Sequence, residues 1–161
     1  FESITREFDK ALQIFETNCA KNNHGPSCSK AGFYLASGNG GIQPDPVSLS
    51  FLITYFWLIL LYFQDRGYDY LVKGCEENYG KSCLLAGMFH KLKFPKPITT
   101  EQNPRTSIKL FERACDLDQT TGCHYYASAL LKPGADQNLH KAAEAFGKAC
   151  DKGWFFLLLT F

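Results

Sequence analysis

An excess of either charge is missing from this sequence. Its 17 basic and 16 acidic side chains leave a net +1 over 161 residues. That is too little for a dedicated nucleic-acid surface or a polybasic membrane patch. Cys-x-x-Cys is missing too, although the chain holds seven cysteines, and this counts against a zinc site built on that spacing. The chain opens FESITREFDKAL, with neither an initiator Met nor a positively charged, apolar leader. It is therefore expected to be a fragment or a processed product, and its targeting stays open. No catalytic cluster stands out either. The four histidines, His24, His90, His124 and His140, are scattered and are expected on solvated faces or loops.

What is present is a cysteine pattern. Cys19 and Cys28, Cys75 and Cys83, and Cys115 and Cys123 form couples nine, eight and eight residues apart, and Cys150 stands alone. Each first cysteine ends a segment with helical apolar spacing, and each second one begins another. Ahead of Cys19 come Phe8, Ala11, Leu12 and Phe15; ahead of Cys150, at the same offsets, come Leu139, Ala142, Ala143 and Phe146. The i, i+3, i+4, i+7 pattern makes one apolar stripe per helix. RTSIKLFERAC repeats it more loosely through Ile108, Phe111 and Cys115. After the second cysteines, SCSKAGFYLASG and SCLLAGMFHKLK share Cys-x-x-Ala-Gly, and GCHYYASALLKPG has Ala127 where the others have Gly32 and Gly87. A small residue there lets a neighbouring backbone approach, so these positions predict helix crossings despite a helix cost of roughly 1 kcal/mol for Gly relative to Ala. Breakers lie between units: GNGG at 38–41, FPKP at 94–97 and KPG at 132–134. Each unit therefore reads as helix, loop, helix, and such units bury their stripes by stacking into an α-solenoid.

One interval breaks the period. Cys83 to Cys115 is 32 residues and Cys123 to Cys150 is 27, whereas Cys28 to Cys75 is 47. The excess coincides with VSLSFLITYFWLILLYFQ, residues 47–64, which carries no charge. Removing it brings the interval to 29 and places Pro46 eleven positions before Cys75, as Pro104 stands before Cys115. Proline suits the first turn of a helix, where its missing N–H has no intrahelical acceptor anyway. The block also begins Val-Ser, encoded by GTAAGT, and ends Phe-Gln, encoded by TTTCAG, the common start and end of an intron. We read it as a short intron translated in frame. The competing readings are a buried helix and a membrane span, for which a run near 17 apolar residues is at the lower bound. The tail WFFLLLTF at 154–161 puts Leu158 where a partner for Cys150 is due, so the array is expected to be truncated. The resulting division is a first repeat region at 1–46, the insertion at 47–64, further repeats at 65–153 and an aberrant tail at 154–161.

These units resemble Sel1-like (TPR-like) repeats in the cysteine-rich form found in Hcp beta-lactamase-like proteins. REFDKALQIFETNCAKNNHGPSCSKAGFYLASGNGGI, the GNGG loop and the ERACDLDQTTGC junction are most similar to the mitochondrial cytochrome c oxidase assembly factor seven family. The likeness spans nearly everything outside 47–64 and 154–161, with a shorter third loop, KPGADQN. It implies an all-α solenoid of helix-loop-helix repeats stapled by disulfides Cys19–Cys28, Cys75–Cys83 and Cys115–Cys123, with Cys150 unpaired. A separation of eight or nine residues across a turn between antiparallel helices suits disulfide geometry, and such a bond would contribute about 2 to 3 kcal/mol. Reduced cysteines acting as small apolar side chains are the alternative. Stable disulfides need an oxidising space; the resemblance selects the mitochondrial intermembrane space.

The implied function is a non-enzymatic scaffold for oxidase assembly that holds protein clients, oxidase subunits or other assembly factors, in a solenoid groove. Nucleic acid is not expected as a partner, and membrane only if residues 47–63 are a genuine span. No cofactor is expected from the residues; haem binding enters through the resemblance alone, with no paired axial-ligand motif to hold it. The alternatives are an Hcp-like beta-lactam or peptidoglycan-fragment hydrolase and an endoplasmic-reticulum Sel1-type adaptor. For the hydrolase the one matching motif is Ser27-x-x-Lys30, without companion motifs. Glu112, Arg113, Asp116 and Lys148 are expected on a solvated helix face.

Overall fold

The structure, a computed structural model, describes residues 2–36, 66–91, 104–134 and 136–151. The apolar block at 47–64, the GNGG and FPKP loops, Pro46 and the tail at 154–161 lie outside the described residues. Every regular element among the described residues is helical: α1 (Glu2–Asn22), α2 (Gly25–Ala36), α3 (66–76), α4 (Gly80–Lys91), α5 (Pro104–Asp116), α6 (Thr120–Leu130) and α7 (Leu139–Asp151). Pro104 opens α5, the position where proline's lost N–H costs nothing.

Three hairpins, α1–α2, α3–α4 and α5–α6, turn in a shared way. Asn23, Asn78 and Asp118 adopt left-handed φ values of 48°, 59° and 63°. Asn and Asp accept that conformation more readily than other side-chain-bearing residues. In the second hairpin the Tyr79 N–H donates to the Gly74 carbonyl at 3.0 Å and the Asn78 N–H to that of Cys75 at 3.1 Å; in the third, Gln119 donates to Ala114 at 2.9 Å and Asp118 to Cys115 at 3.1 Å. This pair of bonds satisfies the carbonyls that a helix end leaves open. The first couple is one residue longer, and there His24 reaches Asn18 at 3.3 Å. Successive turns touch: a methyl on Gly25 would lie 2.7 Å from Tyr79 Cβ, and one on Gly80 would lie 3.2 Å from Gln119 Cβ.

Each of α4 to α7 packs on its neighbour in the chain, α1 packs on α2, and α2, α4 and α6 touch in series. Close approach is concentrated at small residues. A methyl on Gly32 would lie 2.7 Å from both the Gly67 carbonyl oxygen and Leu71 Cγ, and one on Gly87 would lie 2.7 Å from the Phe111 ring. Ala127 is fully buried. The main core gathers the Cys75–Cys83 couple, Leu84, Phe111, Tyr126, Leu130, Ala142 and Ala145. Complete burial of a side chain such as Phe111 is worth about 1.5–3 kcal/mol.

Two apolar stripes differ from the sequence reading. In α7 the buried positions are Ala142, Ala145 and Ala149, while Leu139 is 63% exposed and Ala143 also faces outward. The inward line follows the alanines because small side chains let α6 come close, and Leu139 belongs to the first turn. Phe8 is 40% exposed. The 21-residue α1 overhangs the 12-residue α2 that runs back along it, so Phe8 meets Tyr34 only edge-on, with centroids 6.1 Å apart.

Candidate functional site

The six coupled cysteines all sit where an odd-numbered helix hands over to an even-numbered one. Their sulfurs are bonded as Cys19–Cys28, Cys75–Cys83 and Cys115–Cys123, with Cα separations of 4.8, 4.6 and 4.3 Å. All six are buried. Cys150 is an exposed thiol. The seams are close to one another: a methyl on Gly74 would meet Ser82 Oγ and would lie 3.0 Å from Cys28 Cβ, so the first two couples share one layer.

Polar groups tie successive hairpins together on the odd-numbered helices. Arg66 of α3 bonds Glu16 of α1 at 2.8 Å, with both side chains partly exposed. Arg113, two residues before Cys115, donates to the Glu76 carbonyl and to Asn78 Oδ1, each at 3.4 Å. Lys148, two residues before Cys150, pairs with Asp116 at 3.5 Å, and Lys141 pairs with Glu112 at 3.8 Å. The expected solvated face thus lies on the seam between neighbours. Exposed pairs of this kind contribute about 0–1 kcal/mol each, so they fix relative orientation more than stability. Glu112 also accepts a 2.6 Å bond from the Tyr126 hydroxyl. Burial, then that bond, then the charges of Glu112, Asp116 and Glu144 raise the Tyr126 pKa well above its ordinary value of 10.0.

A cavity of about 410 Å³ lies among α4, α5, α6 and the turn after α6; its wall includes His90, Ser107, Phe111, Tyr125, Lys132 and Asp136. Ser107 donates to the Gly87 carbonyl at 3.0 Å. His90 departs from the solvated placement expected of it: it is 8% exposed, and its Nε2 lies 2.8 Å from the Tyr68 hydroxyl. The cause is α3, whose Tyr68 stands edge-on to the imidazole with centroids 5.4 Å apart. No signal for this pairing exists in the sequence, because the partners are 22 residues apart on different helices. His24 and His140 are exposed and lie near Ser27 and Glu144, at 2.8 and 3.4 Å respectively, and His124 is packed against Tyr125 and Phe146. Among the described residues His90 is the one imidazole in the cavity wall, with Nε2 directed at a phenol. That donor set does not suit haem held there between two axial ligands.

The Ser-x-x-Lys match places its two side chains against different partners. Ser27 is buried and bonded to His24, while Lys30 Nζ lies 5.3 Å from the Phe15 ring centroid. Among the described residues no helix is long and apolar enough to cross a membrane.

Cytochrome c oxidase assembly factor 7A of Xenopus laevis is 26% identical to this chain over 156 residues, 95% of the chain and 60% of that protein. Cytochrome c oxidase assembly factor 7 of Xenopus tropicalis is 26% identical over 160 residues, 94% of the chain and 59% of that protein. The Mus musculus protein of the same name is 43% identical over 44 residues, 27% of the chain and 19% of that protein. The chain thus spans about six-tenths of the length of the first two curated relatives. No family model matches the chain.

Proposed function

We propose that the chain is part of a non-enzymatic assembly factor for cytochrome c oxidase, built as an α-solenoid of Sel1-like repeats and acting in the mitochondrial intermembrane space. The observation that carries this reading is the likeness along almost the whole chain to proteins named for oxidase assembly. The recurrent hairpin adds physical support. Three hairpins of one design, each touching the next, are what repeat stacking needs. Three buried disulfides favour an oxidising compartment. A stapled stack presents a client with a preformed surface, which lowers the ordering cost of binding.

Disrupting the gene and measuring oxidase activity beside the assembled complex on native gels tests this. Both should fall and return on re-expression, with tagged protein in the intermembrane space. Normal oxidase in the disrupted line would remove the reading. In this proposal residues 47–64 are a translated intron, and a messenger RNA that contains their codons would end it.

A further inference from the structure

We propose that the face shared by α2 and α4 docks an acidic stretch of a partner polypeptide that carries an apolar anchor residue. This rests on the client-binding reading and names the client's chemistry. The first observation is a segregation of charge. Not one Asp or Glu occurs in α2, α4 or α6, whereas α1, α3, α5 and α7 each carry at least two. The acid-free helices touch in series, α2 on α4 and α4 on α6, so the segregation along the sequence becomes one in space.

The second observation is a recess on that face. Between α2 and α4 lies a cavity of about 200 Å³ lined by Ser29, Lys30, Phe33, Tyr34, Lys81 and Leu85. Sites that enclose a whole small ligand run to roughly 300–1,000 Å³; this one suits a single apolar side chain. Phe33 is 49% exposed at its edge and continues into an aromatic wall, Phe33 to Tyr34 to Phe15. Both lysines are exposed. The ion pairs among the described residues use Arg66, Arg105, His140, Lys141 and Lys148 as their basic partners, so Lys81, and Lys30 with its Nζ over the Phe15 ring, bring two positive charges without a carboxylate partner to an apolar floor. Carboxylates on either side of a buried anchor complement that arrangement. A nucleic acid would need many more cations, and a net charge of +1 on the whole chain gives an anionic bilayer little hold.

The test is fluorescence anisotropy of the whole chain with three labelled peptides: one with Leu flanked by Glu, one with each Glu replaced by Lys, and one with the Leu replaced by Ser. The acidic, Leu-bearing peptide should bind, and more weakly as salt rises; the other two should not. Lys30→Glu with Lys81→Glu should weaken it about tenfold or more and admit the Lys peptide. Phe33→Ala should weaken it without changing the salt dependence. The lysines are exposed, so the melting temperature should stay put, and Lys30→Gln with Lys81→Gln, an intermediate loss, serves if the reversal unfolds the protein. Equal binding of the acidic and Lys peptides, indifference to the lysine changes, or preferential retention on phosphatidylserine vesicles would each overturn the proposal. If the peptide fails to bind while the chain still restores oxidase, the docking inference falls alone. If it binds while disruption leaves oxidase normal, the assembly reading falls alone.

Discussion

Gly32 and Gly147 are both helical glycines, yet their surroundings assign them opposite roles. A methyl on Gly32 meets backbone, the Gly67 carbonyl oxygen at 2.7 Å, and cannot be relieved by a rotamer change. Gly32→Ala should therefore separate α2 from α3 and cost about 1–3 kcal/mol. Gly147 has nothing within 4 Å of an added methyl, so Gly147→Ala should stabilise by about 0.5–1 kcal/mol through helix propensity. Urea titrations of the two variants should move in opposite directions. The Tyr126 pKa is raised on folding, so its contribution to stability is complete below about pH 10 and is lost as pH climbs, because the unfolded phenol ionises first. Tyr126→Phe should make the alkaline decline shallower, by up to about 1.4 kcal/mol per pH unit. At this scale the sequence was legible where a residue's role is written in its own helix. Gly32 and Gly87 stood out through Cys-x-x-Ala-Gly, and both sit at close approaches. His90 was not legible, because its burial depends on a tyrosine from another helix.

Among elements, the hairpin combines a disulfide with a left-handed turn, and the two can be separated. Closing so short a loop removes roughly 2.5 kcal/mol of unfolded-state entropy on the chain-entropy model. Cys115→Ala with Cys123→Ala should lower unfolding free energy by about 2–3 kcal/mol in non-reducing buffer, and added reductant should bring the wild-type chain down towards or past the variant. Asn78 tests the turn. Its φ of 59° suits glycine better than any other residue, so Asn78→Gly should hold stability while Asn78→Ala loses about 1 kcal/mol. The cysteine spacing made the hairpin boundaries legible, and Pro104 marked the start of α5. The stripe of α7 is legible in part: Ala142 is buried and Phe146 packs against the core, while the rest of the buried line is Ala145 and Ala149, and alanine is too common on exposed faces to mark a core by itself. The turn residues Asn23, Asn78 and Asp118 lie inside CAKNNHGPSC, CEENYGKSC and CDLDQTTGC, where neighbouring Asn and Asp residues would suit the same left-handed position.

For the molecule as a whole, the decisive geometry lies at the ends of the segment that holds the apolar block. Between Ala36 and Arg66 there are 29 residues, against 12 between Lys91 and Pro104 and 8 between Leu130 and Leu139; taking out 47–64 leaves 11. The ends of the long segment are also held together, since a methyl on Gly67 would lie 2.8 Å from the Ala36 nitrogen. Chain that leaves and returns at one place needs no particular length, and shortening it from 29 to 11 residues reduces the loop-closure cost by about 0.9 kcal/mol. A chain lacking residues 47–64 should therefore keep its helical circular dichroism and its cooperative unfolding, with a midpoint equal to or slightly above that of the full chain. Loss of cooperative unfolding in the shortened chain would mean that the block supplies packing the α2–α3 contact cannot do without.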